Sequence, residues 1–209
     1  MMLLIPALLA LVAGIARGGN FDNLAAMPYR EGWWFGAAFA LQLAIYIPDV
    51  RTSRSMISLS APIYILALCL IFVGMTRNWR LGKGLRLAAF GWGLNAMAIV
   101  ANGGHMPTDI AAMARVAGKE RVATIADRGG YSNVRPADAR SRLLPLTDTI
   151  ALPFPPGHGN IYSIGDMLLE GGIIWLVYAG VRTPKVAATG KHGRRDVITD
   201  TGQRTPVAT

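Results

Sequence analysis

The sequence predicts an all-α fold: an integral membrane bundle of about five short transmembrane helices, with a long extracytoplasmic loop between the fourth and fifth. Three observations predict it. Apolar tracts recur at 2–16, 32–48, 61–76, 85–104 and 164–181. Charges collect at their ends: none follows Glu31 as far as Pro48, and between Gly84 and Gly104 the only charge is Arg86. Over the whole chain 52% of residues are hydrophobic and only 16% charged, with a mean hydropathy of +0.36, whereas a soluble domain carries about a quarter charged residues. Tracts this apolar on every side are not amphipathic surface helices.

The first tract lacks a basic leader and a clean small-x-small cleavage site, so it reads as a retained helix. A hydrocarbon core of ~30 Å needs about 20 helical residues. The first and third tracts fall short, and Arg17 and Arg77 can make up the difference by snorkelling. Lys and Arg near the span ends are more numerous on the side holding Arg17, Arg30, Arg77, Arg80, Lys83 and Arg182 than on the side holding Arg51, Arg54, Arg115 and Arg142. The first side is therefore expected to be cytoplasmic, with the N-terminus outside and the C-terminus inside. Residues 1–182 form the membrane domain. The tail over 183–209, rich in Lys, Arg, Gly and Thr, is expected to be a disordered cytoplasmic extension.

The loop over 105–160 carries signals of its own. Thr108 can cap a helix beginning at Asp109, where Ile110, Met113 and Val116 recur every three residues and Gly118 can end it. That pattern suits an amphipathic helix at the membrane surface. Gly129-Gly130 marks a turn within a polar stretch. The run from Leu143 to Pro153 is apolar but interrupted by proline, which suits a re-entrant or interfacial segment. Pro155-Pro156-Gly157-His158-Gly159-Asn160 then turns the chain back toward the last helix.

The net charge is +9, from 21 Lys+Arg against 12 Asp+Glu. No basic stripe interleaved with aromatics accompanies it, so the expected partners are the lipid bilayer and other membrane proteins rather than nucleic acid. Cys69 lies in an apolar tract and reads as a small packed hydrophobe. No phosphate-binding glycine loop, zinc-protease helix or nucleophile elbow occurs, and no cofactor is implied. His105 and His158 lack metal-ligand spacing. Small-xxx-small pairs such as Gly32 with Gly36 read as helix packing.

The candidate binding residues are Asn102, His105, Asp148, Asp166 and Glu170. Asn95 and Asn102 share a helix face, and polar side chains in hydrocarbon seek partners, most simply across helices. Asn102-Gly103-Gly104-His105-Met106-Pro107 should break the fourth helix at the membrane edge, because Gly admits left-handed backbone and Pro107 turns Met106 away from helix. Freed backbone groups beside Asn102 and His105 could form a site, as broken helices do in transporters. Ser163 as N-cap with Asp166 at the third helical position fits a capping box. Glu170 lies one turn beyond Asp166 on the same face, where a carboxylate should face the bundle interior, pair, or carry a proton. Asp148, in the proline-flanked run, could converge with them.

Four features together resemble one family: Gly14-Ile15-Ala16-Arg17-Gly18-Gly19 closing the first helix, Asn102-Gly103-Gly104-His105-Met106-Pro107 closing a later one, the run from Leu144 to Pro153 around Asp148, and Ser163-Ile164-Gly165-Asp166 opening the last. They look like the bacterial domain-of-unknown-function family 5317, small multi-span membrane proteins. Its members often place glycine before the acid corresponding to Asp148, where this chain has Thr147. The resemblance implies a bacterial plasma membrane location and brings no reaction or substrate.

Three functional readings follow. The leading one is a non-catalytic accessory, assembly or scaffold protein. The second is a small-molecule or ion binder, or a transporter, with its site at the outer ends of the fourth and fifth spans. The third is a membrane enzyme using Asp148, Asp166 or His105 as acid and base.

Overall fold

The computed structural model describes residues 4–46, 54–116, 122–123, 134–153 and 159–183, and these are mostly helical. The predicted tail, His158, Gly118 and the Gly129-Gly130 turn lie outside the described residues. The helices are α1 (Leu4–Ala16), α2 (Phe21–Ala25), α3 (Trp33–Tyr46), α4 (Arg54–Arg77), α5 (Lys83–Ala101), α6 (Ile110–Ala114) and α7 (Ile164–Arg182). By length and composition, α5 and α7 can each cross a membrane. Shorter apolar helical stretches cover Ile5–Ala16, Trp33–Ala44 and Ala61–Arg77.

Antiparallel α5 and α7 form the centre, and small residues bring them together. A Cβ on Gly84 would stand 2.7 Å from the Gly172 carbonyl oxygen, and Gly91 and Gly165 are apposed one level further along. Each pair is seven residues apart on its own helix, two turns, so both fall on the facing side. Met75, Leu85, Ala88, Leu169 and Leu176 fill the space around this seam. Helix α1 joins α7 where Gly14 meets Val181 and Tyr178, and α3 joins α4 where Phe35 lies over Gly74. The expected Gly32 and Gly36 packing is corrected: a Cβ at either meets nothing within 4 Å.

The segment between α5 and α7 departs from the all-α expectation. It holds β1 (Met106–Thr108) paired in parallel with β2 (Val134–Pro136), and β3 (Ile150–Leu152) paired antiparallel with β4 (Asn160–Tyr162). The run expected to be re-entrant or interfacial takes the form of a 3₁₀ turn over Leu144–Leu146 followed by β3. Prolines bar a helix there, and the exposed backbone groups pair with neighbouring strands instead. The cap of α6 is Asp109 rather than Thr108: the Asp109 carboxylate accepts from the Ala112 N–H at 2.9 Å, while Thr108 is taken up by β1. The apolar face of α6 covers the chain's own β4, through Met113 and Ile161, so it is not a free surface helix. Thr147 suits its position without glycine, because its backbone is extended (φ −91, ψ 178) and its hydroxyl donates to the Leu144 carbonyl at 2.8 Å.

Candidate functional site

The capping box at the start of α7 forms as the sequence predicts. Ser163 Oγ accepts from the Asp166 N–H at 2.9 Å, and Asp166 Oδ2 accepts from the Ser163 N–H at 3.1 Å. The knot extends to α5. Asn95 Nδ2 donates to Asp166 Oδ1 at 2.6 Å, and the Ser163 hydroxyl donates to Asn95 Oδ1 at 2.7 Å. Asn95 and Ser163 are buried, so these mutual bonds satisfy polar atoms that would otherwise be costly inside a helix pair. Gly165 is required beside them, since a Cβ there would overlap Asn95 Oδ1.

Asp148 is set against this knot by its backbone. Its N–H donates to the Pro107 carbonyl at 3.1 Å, and its carbonyl accepts from the Asp109 N–H at 2.9 Å. Its Oδ2 accepts a long bond from the Thr108 hydroxyl, 3.3 Å, while Oδ1 is buried without a hydrogen-bond partner among the described residues. Burial first, and the negative charge of Asp166 second, push the Asp148 carboxyl up to about 7, against the Thr108 bond. Tyr162 titrates above the usual phenol range, through burial and then the charges of Glu170 and Asp166. The three candidate acids therefore share one neighbourhood at the start of α7, with Tyr162 among them. Chemically, a buried carboxyl that titrates near neutrality beside a fixed carboxylate can hold and release a proton. No three His, Cys, Asp or Glu side chains among the described residues are grouped to hold a metal ion.

Asn102 and His105 stand apart from the acids. The helix breaks where expected, with Gly103 at φ +67 and Gly104 at φ +91. Asn102 then clamps a distant backbone: its Oδ1 accepts from the Arg142 N–H at 2.8 Å, and its Nδ2 donates to the carbonyls of Arg142 at 2.9 Å and Ala98 at 2.7 Å. His105 Nδ1 lies 3.1 Å from the Gly103 carbonyl. Burial, and then the positive charge of Arg135, hold its imidazole below the usual histidine range. Both residues line a cleft of about 430 Å³ together with Arg135, Asp138, Arg140 and Arg142.

Sequence reasoning did not place Tyr162 or these three arginines in a site; it read Thr108 only as a helix cap and Arg142 only as a topology signal. The available signal was composition: Arg135, Arg140 and Arg142 crowd a short stretch in which Asp138 is the only acid. Their meeting with His105 depends on the pairing of Pro107 with Arg135 in the β1–β2 ladder, which three-residue strands do not announce.

The model of a family of unknown function, DUF5317, matches residues 26–178. No curated protein and no solved structure matches the chain.

Proposed function

We propose that this chain, which belongs to the family of unknown function DUF5317, is a multi-pass protein of the bacterial plasma membrane. In this reading it has five spans, its N-terminus outside and its C-terminus in the cytoplasm, and it serves as a non-catalytic scaffold or accessory subunit. Exposed apolar surface supports the membrane reading. Only 44% of the apolar window of α5 and 33% of that of α7 is buried, and Leu8, Phe39, Phe90, Met97 and Trp175 are all exposed. A soluble core helix would be mostly covered, and a surface this apolar is unfavourable in water.

The observation that carries the scaffold reading is the use made of the candidate polar residues. Asp166 closes a capping box and bonds Asn95, and Asn102 clamps the Arg142 backbone. These groups brace the segment between α5 and α7 against the helices, which suits a surface held rigid for a partner. Extraction in a mild detergent followed by native mass measurement tests it. The expected result is a mass above that of one chain. A monomer with no co-purifying protein overturns the reading.

A second reading, a proton-linked binder, rests on one atom, the unpartnered Oδ1 of Asp148 beside Asp166. It requires Glu170→Gln and Asp166→Asn to alter ligand- or pH-induced stability shifts, and it fails if both leave those shifts intact.

A further inference from the structure

The face of α5 turned away from α7 is open. With α4 it forms a groove of about 880 Å³ whose lining is almost wholly apolar, including Leu68, Phe72, Phe90, Gly93, Met97 and Val100. Along α5 the groove runs from Ala89 to Ala101, roughly 18 Å at about 1.5 Å per residue. One leaflet contributes about half of the ~30 Å hydrocarbon core, so the groove matches the depth of one leaflet's acyl chains.

The groove ends at the arginine cleft. Ala101 lines both, and Leu143 at the groove's end is followed back along the chain by Arg142 of the cleft. The cleft brings Arg135, Arg140, Arg142 and His105 around one acid, Asp138. That carboxylate is already engaged in closing its own turn, through the Arg140 N–H at 2.9 Å and the Ser141 hydroxyl at 3.1 Å. Among the described residues, the single ion pair is Arg77 with Glu31, remote from the cleft. Asp138 acts electrostatically on Arg140 within the cleft, and among the described residues no carboxylate forms an ion pair with Arg135, Arg140 or Arg142, so the cleft keeps an excess of positive charge. The clamp by Asn102 fixes the backbone of Arg142, and the β1–β2 ladder fixes that of Arg135.

We propose that groove and cleft form one binding site for an anionic phospholipid, with acyl chain along α4 and α5 and headgroup phosphate among Arg135, Arg140 and Arg142. Charge complementarity selects this occupant: an apolar helix from another protein would fill the groove and leave the arginines unneutralised. Arginine matches phosphate geometry through its planar fork of donors. The inference rests on the membrane reading above.

The test is native mass spectrometry of the full chain in mild detergent, titrated with phosphatidylglycerol or phosphatidylcholine. The site requires at least tenfold preference for phosphatidylglycerol. Each Arg→Gln change at 135 and 142 should weaken that binding by about fivefold, as expected for one basic residue at an anionic headgroup. All three arginines are exposed, so the variants should fold. Gly93→Leu should obstruct the groove and weaken phosphatidylglycerol without altering binding of inorganic phosphate. Met97→Trp, at an exposed position, serves the same purpose if the first variant folds poorly.

Equal binding of the two lipids overturns the proposal. So does a phosphatidylglycerol affinity indifferent to both groove variants, which would mark a site for free anions. A groove variant that changes only the oligomeric mass would mark a docking site for a protein helix and also overturn it. A chain that stays soluble and monodisperse without detergent defeats the membrane reading itself. Failure of lipid discrimination in a detergent-requiring protein defeats the lipid site alone.

Discussion

Asp148 and Arg142 lie six positions apart on one segment, yet they face opposite electrostatic settings. On the acid side, Asp148, Asp166 and Glu170 gather where α7 begins, and Asp166 is locked by Asn95 and Ser163 onto the glycine seam. On the basic side, three arginines and His105 surround an open cleft, held by Asn102 and by a short strand pair. On the acid side Asp166 spends its oxygens on Asn95 and Ser163, while Asp148 Oδ1 is buried without a hydrogen-bond partner among the described residues. The basic side leaves its charges outward. Like charges gathered in a closed place shift titration, whereas like charges around an open place attract a counter-charge.

This contrast makes the same substitution unequal on the two sides. Gly165→Ala drives a methyl group into Asn95 and should destabilise the chain by about 3 kcal/mol, an overpacking effect. Gly103→Ala meets open space and should lose only about 1 kcal/mol, from the left-handed backbone at φ +67. Thermal unfolding of both variants in one detergent measures the difference. Equal losses would show that the seam does not distinguish the sides.

The next effect belongs to Asp148 and depends on pH. Its carboxyl is raised in the folded chain to about 7, above an unfolded value of about 4. The folded state therefore holds the extra proton between those values, and stability falls as pH rises through that window. Asp148→Asn removes the dependence. It should raise unfolding free energy by about 2 kcal/mol at pH 8 and leave it nearly unchanged at pH 4, less than the full shift implies because the amide must itself be hydrogen-bonded. Denaturant titration at both pH values checks this. An unaltered pH slope would remove Asp148 as the source.

The smallest effect tests the basic side. Asn102→Ala releases the Arg142 backbone, which should lower stability by about 1 kcal/mol. Amide exchange at Arg142 should quicken while the amides of Ser163 and Asp166 keep their protection. Equal quickening on both sides would mean that the two braces act as one.

Much of this was legible in sequence wherever the determinants are local. The capping box at Ser163 and Asp166 was readable because its partners are three residues apart. The helix break after Asn102 was readable because Gly103, Gly104 and Pro107 act on their own backbone. Asp166 and Glu170 could be placed on one face by helical spacing alone. The seam was visible only in retrospect, as Gly84 with Gly91 and Gly165 with Gly172. Gly32 and Gly36 offered a similar signal and face open space, so spacing names a candidate face without saying what covers it.

The sequence by itself determined where the apolar tracts lie, the cap of α7 and the break after α5, because each follows from neighbours along the chain; it missed that α4 begins at Arg54, ahead of the third tract, expected to open at 61. Membership of the family was also readable, from motifs confined to short stretches. Only the tertiary structure decided that the acids gather while Asn102 and His105 part from them. Only it placed Arg135 beside His105, through a strand pairing across residues 106–136. That pairing bonds backbone to backbone, and a backbone hydrogen bond carries no side-chain signature by which the sequence could declare its partner.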